Sequence, residues 1–201
     1  RRTVRFCLFN IEERGLVGST AYVRDVVREE VENGTRIIGM MSLDGIGYYT
    51  DEEGSQRNPL GGVSIPGLEV PTRGNFIGIG TIAAGHDFAR ALERGIKRHA
   101  PEMRVVVADF LPVPVPALLR SDHAPFMQMG VPAVIVADTA NFRNPHYHRP
   151  TDRIGTLDER RLTLLVRGLA GAVAEMARPV VDPERAKQDA GGGADADARE
   201  G

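Results

Sequence analysis

Hydrophobic residues fall along this chain in short blocks that switch between a strand-like and a helix-like period. Residues 4–9, "VRFCLF", are rich in β-branched and aromatic side chains and read as a buried strand. Over residues 20–32, Tyr22, Val23, Val26, Val27 and Val31 recur at helical spacing. Ser19 stands where a cap is needed, and Asn33-Gly34 supplies a stop. Residues 37–43 read as a second strand ending at Asp44-Gly45. Residues 76–80, residues 104–110 and Ala133–Ala137 read as three more. Helical spacing returns over His86–His99, with Phe88, Ala91, Leu92 and Ile96 on one face. It appears again over residues 123–129 ahead of Gly130, and over residues 157–176.

Strands alternating with helices predict an α/β fold: an open, mostly parallel sheet with helices on both faces. Three stretches have no period. Residues 48–75 are rich in Gly, Pro and Asn and too long for a simple connector, which points to a functional loop. "LPVPVPALLRSDHAPF" is broken by proline, and "DTANFRNPHYHRPTDRIGT" reads as a long loop. Residues 1–178 are expected to form one domain and residues 179–201, poor in large apolar side chains, a disordered tail. The chain opens at Arg1 without a methionine and runs directly into a strand, which reads as a fragment or processed piece lacking N-terminal strands and helices of its sheet.

Composition narrows the partners. The 201 residues are 42% hydrophobic and 26% charged, ordinary for a globular domain with a real core. A formal net charge of −2 argues against nucleic acid or an anionic membrane as the main partner. No apolar run approaches the ~20 residues of a membrane span. The one cysteine, Cys7, excludes an internal disulfide and is expected to be a small core residue.

The polar residues then raise a question. Glu12 and Glu13 are adjacent like charges at the end of an apolar run, and Gly15 and Gly18 follow at once. Asp44 comes just after another strand, and His146 and His148 lie in the loop beyond Ala137. Ligands of open α/β sheets sit at such strand ends. A metal explains the adjacency: one glutamate coordinates while its neighbour handles the proton of an activated water.

Four ordered blocks, "FCLFNIEERGLVGSTAY", "MMSLDGIGYY", "RSDHAPF" and "NPHYHRPTD", resemble the motifs of the co-catalytic zinc aminopeptidase family, which includes bacterial leucyl-type aminopeptidases, glutamate carboxypeptidase and glutaminyl cyclase. The resemblance implies a metal-dependent exopeptidase acting on peptides with two zinc ions. It implies Glu12 as general base, and Glu13 and His148 as ligands of one ion with Asp44 on the other. It leaves His146 and His123 outside the ligand set, with His123 lining or supporting the site beside Asp122. The family's His-x-Asp motif and bridging Asp precede the glutamate pair and are absent here, so this chain by itself is expected to be inactive. Secreted or periplasmic placement is implied, with the cytoplasm left open by the residues themselves. The alternatives are a non-catalytic peptidase-like interaction domain and a glutaminyl cyclase-type acyltransferase. Arg143 and Tyr147 are candidates to face a substrate, and His86 and His99 are expected to be structural.

Overall fold

The computed structural model describes residues 2–61, 67–110 and 115–178. The expected tail at 179–201 lies outside them. Four strands, β1 (Met40–Leu43), β2 (Ile77–Gly80), β3 (Val105–Ala108) and β4 (Ala133–Ala137), form one sheet in the order β1-β4-β2-β3. β1 runs parallel to β4 and β2 parallel to β3, whereas β2 meets β4 antiparallel, Ile79 opposite Val136.

That antiparallel pair is the exception within the mostly parallel arrangement, and it has a simple cause. A parallel return needs a crossover, usually a helix, to carry the chain back to the starting end of the sheet. Residues 48–75 have no helical period, so the chain re-enters at the end where β1 left it. The β2–β3 pair is parallel because α3 (His86–His99) provides its crossover, and β1 and β4 are parallel as well.

Alternation along the strands divides the core. Ile77, Ile79, Val134 and Val136 face α3 and α5 (Glu159–Met176), meeting Leu92, Ile96, Leu165 and Leu169. Ala133, Ile135, Ala108 and Met40 face the other way, toward Val23, Val27, Phe126 and Met127. The helix carrying Val23 and Val27 is α1 (Val17–Tyr22), a π-helical turn over Val23–Val27, and α2 (Arg28–Glu32) in unbroken succession. Phe126 and Met127 belong to α4 (Ala124–Gln128). Helices therefore cover both faces. α3 and α5 begin and end where chemistry favours it: Asp158 accepts the Arg161 N–H at 2.8 Å as the cap of α5, and Lys97, Arg98 and His99 close α3 against its dipole. His99 also meets Glu175 of α5 at 2.8 Å.

Residues 4–9 are not a strand, because no described strand lies alongside to share a ladder with them. Phe6 and Leu8 are 90% and 101% exposed, and Cys7 is exposed rather than in the core. Only Phe9 packs, against Tyr22 and Phe126 at ring-centroid distances of 5.5 and 6.2 Å. Ser19 is not a cap either. The helix starts at Val17, and the buried Ser19 hydroxyl donates to the Leu16 carbonyl inside its first turn.

The α3–α5 seam is close enough to require glycine. A Cβ on Gly95 would stand 2.6 Å from the Ala172 Cα, a backbone atom that cannot swing aside. Helix propensity alone favours Ala over Gly by about 1 kcal/mol, whereas overpacking costs about 1–3 kcal/mol. Gly95→Ala is therefore expected to lose roughly 1–2 kcal/mol in urea unfolding. A gain in stability would show that the two helices are free to separate.

Candidate active site

The glutamate pair sits on a single 3₁₀ turn, Glu12–Arg14, held between two left-handed residues, Ile11 (φ 55°) and Leu16 (φ 59°). Gly15 closes the turn at φ 97°. Gly18 is needed because a Cβ there would lie 2.5 Å from the Asn10 carbonyl oxygen, so no other residue lets α1 start so close. With about three residues per turn, neighbouring side chains point ~120° apart rather than in the opposite directions of a strand. The pair still diverges.

Glu13 turns to His148: its Oε1 is 2.9 Å from the His148 Nε2. The His148 ring stacks on Tyr147, with centroids 3.9 Å apart and planes at 15°. The Glu12 carboxyl is pushed above the ordinary glutamate range chiefly by burial, then by the charges of Asp44, Glu13 and Asp122, while His148 opposes the shift. Glu12, Glu13, Asp44 and His148 come from three separate segments, and Glu12 feels the charges of the other three.

Backbone strain clusters here too. The left-handed residues other than glycine among those described are Ile11, Leu16, Thr139, Ala140 and His148. All flank the glutamate turn or lie in the loop after β4. Such conformations cost roughly 1–3 kcal/mol each and concentrate at functional sites.

Asp138 is the participant that sequence reading missed. Buried after β4, it accepts the N–H groups of Tyr48 and Ala140, each at 2.8 Å, and gives its own N–H to the Gly45 carbonyl at 2.6 Å. Burial pushes its carboxyl up to about 6, against the pull of those two N–H donors. Its position just past a strand, matching that of Asp44, was the available signal. The contacts of Arg143 run inward. Its Nε donates to Gln56 Oε1 at 2.8 Å and its Nη1 to the carbonyls of Phe76 and Gly74 at 2.7 and 3.1 Å, tying the long loop to the loop after β4. His146 is bonded within its own loop, its ring to Thr151 and its N–H to Asn144. His86 lies at the far end of the sheet, beside Asp109 at 2.7 Å.

Beside the acidic group opens an apolar cavity of ≈ 160 Å³, lined by Gly78, Gly80, Ile135, Leu118, Phe142 and Tyr147 among others. The donors near it suit zinc in kind: an imidazole and carboxylates, two of them already in contact. They fall short in number. Among the described residues no three His, Cys, Asp or Glu side chains stand close enough together to hold an ion.

The sequence profile of peptidase family M28 matches residues 1–173. The chain belongs to peptidase family M28. A relative within reach is the uncharacterized protein YfbL of Escherichia coli (strain K12), 29% identical over 130 residues, which are 65% of this chain and 39% of YfbL. Two solved structures share the fold of this M28 chain. The LapA aminopeptidase of Legionella pneumophila has a TM-score of 0.57 at 23% identity, covering 85% of this chain and 38% of that one. LapB from Legionella pneumophila gives 0.56 at 18% identity, covering 84% and 38%. The chain thus spans 38–39% of the length of these relatives.

His123, just ahead of α4, is fully buried, and neither ring nitrogen has a hydrogen-bond partner among the described residues. The Leu118 and Ser121 carbonyls lie near the ring, but desolvation dominates and pushes the imidazole down to about 4. The folded state therefore holds His123 neutral. Its contribution is present above the unfolded value near 6.5 and is lost as pH falls toward 4. Asp138, shifted upward, works in the opposite sense over much of that window. Comparing wild type with His123→Leu isolates the histidine: between pH 7 and 4.5 the wild type should lose on the order of 2–3 kcal/mol more than the variant, read from urea titrations at each pH. Parallel pH profiles would show that His123 is not held neutral.

Proposed function

We propose that the full protein containing this chain is a metal-dependent exopeptidase that hydrolyses N-terminal peptide bonds, with zinc as its ion. Membership of peptidase family M28 supports a peptidase. The observation that carries the reading is the Glu13–His148 contact with Glu12 beside it on the same strained turn. Zinc, when bound, supplies Lewis acidity: it polarises a carbonyl and lowers the pKa of water to about 7.

This chain's residues divide the remaining work. Glu13 and His148 would hold one ion, and Asp44 the other. Glu12 is free of that duty, and its raised pKa brings its carboxylate nearer to neutral pH, where a general base works best. It takes a proton on its carboxylate during attack and returns it to the departing amine. The cavity at the carboxyl end of β4 accepts the substrate's side chain and keeps water from it. Asp138 fixes the turn that presents Asp44.

In the full-length protein, Glu12→Gln is expected to keep its metal and lose at least ~100-fold in turnover, the usual cost of removing a general base. His148→Ala should lose metal and nearly all activity. His146→Ala should be mild, since that ring is bonded to Thr151 within its own loop. Metal analysis with steady-state kinetics separates these outcomes, and equal metal loss in Glu12→Gln and Glu13→Gln would overturn the division of roles.

The 201-residue chain by itself should bind zinc weakly and lack activity on aminoacyl-anilides, because a catalytic zinc usually takes three protein ligands and no three-donor group forms among the described residues. Two tightly held zinc ions per chain after dialysis would refute this.

A further inference from the structure

The cavity's mouth carries a cation whose charge the site's own chemistry does not use. Arg120 lines the cavity together with Asp44, Asn141 and Tyr147. Its Nη1 donates to Asn141 Oδ1 at 2.9 Å and its Nη2 to the Tyr147 hydroxyl at 3.2 Å, with the guanidinium 6.0 Å from the Tyr147 ring centroid. Both partners are neutral. No carboxylate pairs with Arg120 among the described residues, although seven other arginines there do find one. A guanidinium has five N–H donors, so these two bonds fix its plane and leave the rest for a ligand.

Charge around the mouth is arranged in two halves. Tyr147 stands between them: its hydroxyl accepts from Arg120, while its ring stacks on His148, which meets Glu13. Between the halves the cavity descends to β2, where Gly78 and Gly80 form part of its wall and a Cβ on Gly80 would press on Leu118 and Ile135 at 3.0 and 3.1 Å. Its ≈ 160 Å³ is close to the roughly 150 Å³ of an apolar cavity that accepts benzene, so a leucyl or phenyl group fits.

We propose that Arg120, oriented by Asn141 and Tyr147, recognises a free carboxylate, so that this site selects short peptides, above all dipeptides, with an apolar first side chain. A dipeptide's two ends match the two halves: its ammonium lies toward the acidic group, its side chain fills the cavity, and its C-terminal carboxylate meets Arg120. This specificity rests on the exopeptidase reading for its consequence, but the recognition itself is a binding property and is measured as one.

The test uses the full-length protein and a dipeptide that cannot be cleaved, leucylglycine with its amide reduced to CH2–NH, beside the same molecule carrying a C-terminal carboxamide. Calorimetric titration should show the carboxylate form binding roughly 10-fold or more tightly than the carboxamide, the range of a charge-assisted hydrogen-bonded pair. Arg120→Gln should bring the two within about twofold of each other while leaving the carboxamide's affinity nearly unchanged; Arg120→Lys should restore part of the preference. Ala117→Phe, which adds bulk to the cavity's lining, should weaken both forms together. A wild type with no preference, no binding of either form, or a preference that survives Arg120→Gln would each overturn the proposal. Hydrolysis of ordinary leucylglycine is scored separately: carboxylate preference without hydrolysis would leave Arg120's role standing and remove the peptidase reading instead.

Discussion

Asp138 reaches back from the end of β4 to take two backbone N–H groups, one from the turn after β1 and one from its own loop. Its amide returns a bond to Gly45, so a single residue fastens both chain segments that carry the acidic group. Gly45 has to be glycine at this junction, since it sits at φ 58° with the Asp138 carboxylate 3.3 Å from where a Cβ would be. The fastening works against a desolvation cost, visible in a carboxyl raised to about 6, which the two N–H bonds and the nearby Arg143 offset only in part. Asp44 and the Tyr147–His148 loop are neighbours because of this junction. Without it, two loops from separate strands would wander independently.

Strain elsewhere in the site depends on the same rigidity. Ile11 and Thr139 are β-branched residues in left-handed backbone, a conformation they adopt only where the surroundings over-determine it. The surroundings here are a sheet packed on both faces and an Arg143 guanidinium that gathers Gln56, Gly74 and Phe76 from the long loop and lies 4.3 Å over the Phe76 ring. The core holds the strands, the strands hold the loops, and the loops hold side chains in positions they would not choose alone.

Much of this was legible in the sequence wherever local pattern and tertiary context agree. α3 and β4 fall where their apolar periods put them, because both bury the residues that make the pattern. Glu12, Glu13, Asp44 and His148 could be named from their places at the ends of apolar runs and from their motifs. The failures are equally physical. Residues 4–9 have strand composition, but a strand exists only where a neighbour shares its hydrogen bonds, and composition cannot supply the neighbour. Asp138 escaped notice because nothing in "VADT" distinguishes a carboxylate that bonds two distant amides from one that caps its own turn. Arg120 escaped for a related reason: its significance lies in neutral partners, Asn141 and Tyr147, that are about twenty or more residues away.

The glycine seam between α3 and α5 also bears on how the chain is made. Ala172 and Gly168 close over Gly95 and Ile96 some seventy residues earlier in the sequence. Until residues 159–176 have been synthesised, the apolar face of α3 and the adjoining face of the sheet have no cover. At roughly 5–20 residues per second that interval lasts several seconds, during which Ile77, Ile79, Leu92 and Ile96 remain available to wrong partners. α5 is therefore a seal as well as a layer, and the nascent chain's exposure to aggregation is set by how late in translation it arrives.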